Sequence, residues 1–453
     1  MYSMKHLKFI TFLVILCSFF HRGTILSQSI IASGPMIAHG EMKEVTIWLQ
    51  TIKEADCRIE YTSESDPKKY TTKVEKAIAR NAFTVKCIAD KVEPGKKYTY
   101  EVYVDNKKQK FTYPLTFQTP ALWQWRTDPP DLKIALGSCF YVNDEKYDRP
   151  GKQYGTNYEI VQRIANQKPD LMLWLGDNTY LREADYGSRT GIINRYTHTR
   201  SLKELQPLLA STHHYAIWDD HDYGPNDGDR GYTLKSYTKE AFSMFWGNPQ
   251  PYDAEGNYTT FQWGDVQVFL LDNRTFRSPN KSKTGKRTIL GEKQLQWLMD
   301  NLISSTATFK LIAIGGQFVN PNAVFENYST YADERSEIIK RIGIEGIKGI
   351  VFLSGDRHYA ELSSLDAFAN KLTYQIYELT CSPLTSGTFS PKSDAEKNPF
   401  RIPNTDIYEH NFGMIEVHGK ANDRAIKLSL KSTKGIDFWS VDIKATDLGY
   451  LAK

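Results

Sequence analysis

Residues 170–180 read Asp170-Leu171-Met172-Leu173-Trp174-Leu175-Gly176-Asp177-Asn178-Thr179-Tyr180. An apolar run bounded by turn residues describes a strand buried on both faces, as in an α/β sheet covered by other layers. At its end the chain places a carboxylate, and three residues later a phenol. The arrangement recurs. The strand Leu132 to Leu136 ends at Gly137-Ser138-Cys139, and Tyr215-Ala216-Ile217-Trp218 ends at Asp219-Asp220-His221-Asp222. Ile350 to Leu353 ends at Ser354-Gly355-Asp356-Arg357-His358. A lone Gly-Asp after a strand carries little information, because turns use both residues freely. Four strand ends bearing metal-ligand side chains are another matter, since α/β sheets bind ligands outside the carboxyl ends of their strands.

Outward from these strands, Tyr158 to Gln167, Gly291 to Leu302 and Glu334 to Ile342 have helical spacing. Phe261 to Trp263 and Val266 to Leu271 pair about Gly264-Asp265 and lead into Asp272-Asn273-Arg274. Later segments, including Thr373 to Leu379 and Met414 to Val417, read as strands. Upstream the texture differs. Val45 to Leu49, Cys57 to Tyr61, Phe83 to Ile88 and Tyr98 to Tyr103 are short strands separated by turns such as Ser65-Asp66-Pro67, the pattern of an all-β sandwich. The expected division is a signal peptide at 1–27, a β-sandwich at 28–120, a linker at 121–131 and an α/β domain at 132–453.

Composition narrows the class. The 453 residues are 40% hydrophobic and 24% charged, the balance of a globular protein. A net charge of +4, with no basic stripe, argues against a nucleic-acid partner. Lys5, His6 and Lys8 precede an apolar run from Phe9 to Phe20, which reads as a secretory signal rather than a membrane span. We therefore expect an exported protein (periplasmic, cell-surface or secreted) without an integral membrane segment after signal removal. Four cysteines follow the signal. Cys57 and Cys87 could pair in an oxidising compartment or remain buried thiols, and Cys381 reads as a buried thiol.

The donor types indicate the metals. Thiolate, phenolate and carboxylate on one ion, with His358 as neutral donor, suit Fe³⁺, while Cys, His and Asp alone could equally hold Zn²⁺. Asp177, Asp220 and Asp356 form an all-oxygen set suited to Ca²⁺, Mg²⁺ or Mn²⁺. Asp177 is placed in sequence to serve both ions, as two-metal hydrolysis requires.

Gly-Ser-Cys, Gly-Asp-Asn-Thr-Tyr, Trp-Asp-Asp-His-Asp, Asp-Asn-Arg and Ser-Gly-Asp-Arg-His together resemble the motif set of alkaline phosphatase D (PhoD-like) enzymes, in the calcineurin-like metallophosphatase superfamily. The resemblance covers roughly Leu132 to Gly419. It implies a four-layer αββα domain after a β-sandwich. The segment Val92 to Tyr100 is itself similar to the corner-and-strand signature of fibronectin type III domains. By motif, Cys139, Asp177, Tyr180 and His358 would bind Fe³⁺, and Asp177, Asp220 and Asp356 would bind Ca²⁺. Gln317 matches the superfamily's amide-or-His ligand. His221 would protonate the leaving oxygen or hold the phosphate, with Asp222 orienting its imidazole. Arg274 would clamp phosphate through its planar fork. The implied activity is hydrolysis of phosphate mono- or diesters by in-line attack of a metal-bound hydroxide. Two alternatives stand beside it: an enzyme like purple acid phosphatase, and a non-catalytic surface-binding protein that keeps a metal site. Against the former, Cys139 stands where that family has its first Asp, and Asp-Asp-His-Asp where it has Asn-His-Glu.

Overall fold

The computed structural model describes residues 29–451; the expected signal segment, residues 1–27, lies outside the described residues. Two sheets face one another. The larger runs through nine strands, with Leu132–Gly137, Leu171–Leu175 and His213–Ile217 parallel at its centre. Asn411–His418, Ala425–Ser432 and Asp437–Lys444 extend it antiparallel on one side. The smaller sheet has six strands, with Val266–Leu270, Phe309–Ala313, Ile350–Ser354 and Ile376–Thr380 parallel.

The period-2 alternation of a strand explains why these segments are apolar throughout. Leu171, Leu173 and Leu175 point into the core between the sheets, together with Ile134, Leu136 and Tyr215. Their neighbours Met172, Trp174, Ala135 and Ala216 point the other way. There they meet Ile160 and Ile164 of helix Ile160–Asn166 and Phe242 of helix Lys235–Phe245. Helices Gly291–Ser304 and Ala332–Ile344 join the core of the smaller sheet through Trp297, Leu298, Ile338 and Ile342. The order is helix, sheet, sheet, helix.

The N-terminal strands form a sandwich around Ile47, Leu49, Ile59, Tyr61 and Val102. Tyr98 Oη accepts a hydrogen bond from the Glu93 amide at 2.8 Å, the tie of a tyrosine corner. Cys57 and Cys87 are free thiols in this core, and burial pushes both up to about 12. One sandwich sheet is continuous with the nine-stranded sheet. The strand Ile31–Gly40, which the sequence reading did not mark, pairs antiparallel with Val45–Thr51 and parallel with His213–Ile217 at Ile37 and His213. Among the described residues, no helix is long and apolar enough to cross a membrane.

Candidate metal centre

The central strands of both sheets deliver their carboxyl ends to one place because glycine lets the backbones touch. A Cβ on Gly355 would lie 2.3 Å from Ser138 Oγ and 2.9 Å from the Leu175 carbonyl, so the ends of three strands from both sheets meet there. The Gly315 carbonyl, one strand over, accepts the Gly355 amide at 2.7 Å. Immediately beyond, Cys139, Asp177, Asp356 and His358 all adopt left-handed backbone conformations, with φ of 56°, 53°, 65° and 57°. A non-glycine residue there costs of order 1–3 kcal/mol. Four such residues at one crevice mark a site that the surrounding fold holds under strain.

The first donor group is Cys139, Asp177, Tyr180 and His358. Cys139 Sγ lies 3.6 Å from Asp177 Oδ2, and Tyr180 Oη lies 3.1 Å from the same oxygen and 3.3 Å from His358 Nε2. Burial pushes the Cys139 thiol up to about 12 and the Tyr180 phenol well above its ordinary value. A cation among them would reverse both effects, because thiolate and phenolate are the binding forms. Supporting contacts fix the donors. Tyr154 Oη reaches His358 Nδ1 at 3.2 Å, and the hydroxyl of Ser382 donates to Cys139 Sγ at 3.1 Å. Such outer partners set ring orientation and ligand basicity. Sequence reading named neither.

The second group gathers on the other side of Asp177. Asp177, Asp220 and His221 present ligand atoms within 4.8 Å of one another, as do Asp219, Asp220 and Asp356. Burial pushes Asp356 up to about 7 and, reinforced by Asp220 and Cys139, drives Asp177 well above the carboxylate range. Burial opposes ionisation of Asp220 too, but His221 and Arg274 outweigh it and hold that carboxyl low. Asp219 was quoted in its motif but not assigned a role. One of its oxygens accepts from Asn273 Nδ2 at 2.8 Å; the other, Oδ2, is buried without a partner. Asp227 and Glu326 also approach Asp220.

Three expected roles are corrected. Asp222 makes no hydrogen bond to the His221 ring. Its carboxylate accepts the amides of Asn178, Thr179 and Asp219, each at 3.0 Å, and His221 Nδ1 is buried without a partner. Asp222 therefore pins two donor loops together. His221 instead lies against Tyr180, ring centroids 4.3 Å apart. Arg274 is not a free phosphate clamp: its guanidinium is spent on Asp219, on Glu326 at 3.2 Å and on Asp220 at 3.8 Å. Gln317 is turned away from the donors. Its amide donates to Glu361 at 2.7 Å and Thr380 at 3.1 Å and accepts from Asn320 at 3.0 Å.

The donor chemistry fits two cations: a mixed S, N, O set and an oxygen-rich set meeting at Asp177, with an unpartnered Asp219 oxygen inside the second. A family model described as PhoD-like phosphatase matches residues 138–428, and one described as a domain of unknown function (DUF7800) matches residues 28–120. Alkaline phosphatase D of Bacillus subtilis (strain 168) is 25% identical over 358 residues, 68% of this chain and 59% of that protein. The match therefore spans less than two thirds of that relative's length. A solved structure of PhoD superposes with a TM-score of 0.72 at 19% identity, covering 92% of this chain and 90% of that one. A purple acid phosphatase from yellow lupin (Lupinus luteus) seeds superposes with a TM-score of 0.66 at 12% identity, covering 92% and 75%. With the matched segment spanning every strand end that carries a donor, this chain belongs to the PhoD-like phosphatase family.

Proposed function

We propose that this protein is an exported metal-dependent phosphoesterase acting on phosphate mono- or diesters, with Fe³⁺ at Cys139, Asp177, Tyr180 and His358 and Ca²⁺ at Asp177, Asp220 and Asp356. The observation that carries the reading is the convergence of these side chains, from the ends of two facing sheets, on the shared carboxylate of Asp177. Cations bound there supply Lewis acidity to the phosphoryl oxygens and lower the pKa of an attacking water toward neutrality. The chain's own residues do the rest. Asp222 fixes the loops that aim Asp177 and Asp220. Tyr154 and Ser382 hold His358 and Cys139 in register. His221, packed against Tyr180 beside both donor sets, would carry a proton to the leaving oxygen. The apolar run after Lys5 and Lys8 supports export.

The visible spectrum of the purified protein tests the assignment. A broad charge-transfer band lost in Tyr180→Phe, with hydrolysis of bis(4-nitrophenyl) phosphate by the unmodified protein, is the expected result. Asp177→Asn is expected to remove both metals and the activity together. A colourless protein active on the diester would replace the iron. A protein colourless and inactive on both 4-nitrophenyl phosphate and its diester would leave the non-catalytic reading.

A further inference from the structure

Arg274 is committed to carboxylates, but another guanidinium beside the donors, that of Arg357, is unpaired. Arg357 stands in sequence between Asp356 and His358, one donor from each set. It is 4% exposed, and its Nε and Nη2 are buried with no hydrogen-bond partner. Two other buried arginines are paired: Arg195 meets Asp148 and Asp185 at 2.7 Å, and Arg424 meets Asp265 at 2.9 Å; the buried Arg200 lies against Trp246 and Trp48, away from the donors. Among the described residues Arg357 has no carboxylate within ion-pair distance. An unpaired buried cation is costly, and an anion arriving at the fork would relieve that cost.

Its holder is aromatic. The guanidinium carbon lies 4.2 Å from the Phe325 ring centroid and 5.3 Å from that of Tyr359, which orients the fork without consuming its donors. Phe325 in turn meets Phe389 edge to face at 5.4 Å. The Phe389 amide donates to the His358 carbonyl at 2.9 Å, tying this wall to the donor loop. Arg357, Phe325 and Phe389 line, with Asp227, Asp356 and His358, a cleft of about 380 Å³. Phe325 is 46% exposed and sits at a φ of 46°, followed by Glu326 at 61°. A large apolar side chain displayed to solvent from a left-handed backbone is a local cost that the turn sustains.

We propose that Arg357 and the Phe325–Phe389 wall form one substrate slot: the Arg357 fork takes an unesterified phosphate oxygen, and the wall takes a planar organic substituent of the ester. The slot rests on the phosphoesterase reading of the same centre and narrows its substrate class to esters carrying a flat, apolar or aromatic group.

The test uses the metal-loaded protein, its metal content measured in each variant. Inorganic phosphate is titrated by calorimetry into the unmodified protein, Arg357→Met and Arg357→Lys. Loss of one bidentate, charge-assisted contact is expected to weaken phosphate about 10- to 100-fold in Arg357→Met at unchanged metal content, with Arg357→Lys intermediate. In parallel, Phe325→Ala is expected to lower kcat/KM for an aryl phosphodiester about 5-fold relative to a dialkyl one, with phosphate affinity unchanged. Equal phosphate affinity in Arg357→Met overturns the anion assignment. Equal effects of Phe325→Ala on both esters overturn the wall. If the unmodified protein holds its metals and binds phosphate but hydrolyses neither ester, the phosphoesterase reading falls, while the calorimetric arm still decides Arg357.

Discussion

At the site, Asp222 and His221 are adjacent in sequence and divided in task, which makes them separable. Asp222 accepts three backbone amides from the loops that carry Asp177 and Asp220. Removing that acceptor orphans buried donors at about 1–3 kcal/mol each. Asp222→Ala is therefore expected to lower the melting temperature and the metal content together. His221 has no such duty, since its Nδ1 bonds to nothing in the protein. His221→Ala is expected to keep both metals while turnover falls by roughly 10²-fold or more. Loss of one metal equivalent in that variant would make His221 a ligand instead. Chelation gives a pH signature with a definite sign. Burial raises Asp356 from 3.8 to about 7, so without a cation the folded chain holds a proton that the unfolded chain has released between about pH 4 and 7. The contribution of this carboxyl to the stability of the metal-free protein then falls as pH rises through that window. A bound cation keeps the carboxylate ionised in the fold and removes the fall. The gap in melting temperature between loaded and chelated protein is expected to widen from pH 5 to pH 8; a constant gap would place Asp356 outside the metal's reach.

Between residue and molecule, the strand end is the functional element, and it is also what the sequence expresses best. Apolar runs closed by Gly-Ser-Cys or Gly-Asp announce both a strand and the side chain at its tip. The four strands expected to end in donors are each present within two residues of their expected ends, as for Ile350–Ser354. What local pattern cannot express is which distant group claims a side chain. Arg274 read as a clamp because Glu326, its partner, is 52 residues away. Gln317 read as a ligand because Glu361 and Thr380 lie 44 and 63 residues away. Arg357 was quoted within its motif, but nothing local distinguishes an unpaired arginine from a paired one. Helix Arg189–Arg200 escaped because its buried face is largely polar, with Arg195, Thr199 and Arg200 turned inward beside Ile192 and Tyr196. The glycines at the strand ends give this scale its own test. Gly355 has a φ outside the left-handed set, so alanine there is not strained by backbone; it simply collides with Ser138 and the Leu175 carbonyl. Gly355→Ala is expected to spread the two sheet ends, costing about 1–3 kcal/mol by overpacking and reducing metal occupancy. Normal occupancy at lowered stability would mean that the donors tolerate the displacement.

Over the whole molecule, the N-terminal sandwich shares a core with the layer that carries the centre. Met36 and Trp48 belong to the same apolar cluster as Ala216, Phe245 and Trp246. Trp48 Nε1 donates to the Met244 carbonyl at 2.7 Å, and Arg200 lies over both Trp48 and Trp246. His213 closes the joint from the other side, with Nδ1 2.8 Å from the Ala38 carbonyl and Nε2 2.8 Å from that of Gln118. Since its strand lies beside the one carrying Asp177, the sandwich buttresses the sheet whose ends hold the donors. Two autonomous domains would unfold in two steps, with damage to one leaving the other intact. A shared core and a continuous sheet instead require one cooperative transition. Trp48→Ala, which empties a fully buried site, is expected to cost about 3–5 kcal/mol and to move the entire calorimetric transition down, the metal-dependent part included. Should a second transition remain at the original temperature, and still shift on chelation, the catalytic layer stands without its N-terminal buttress.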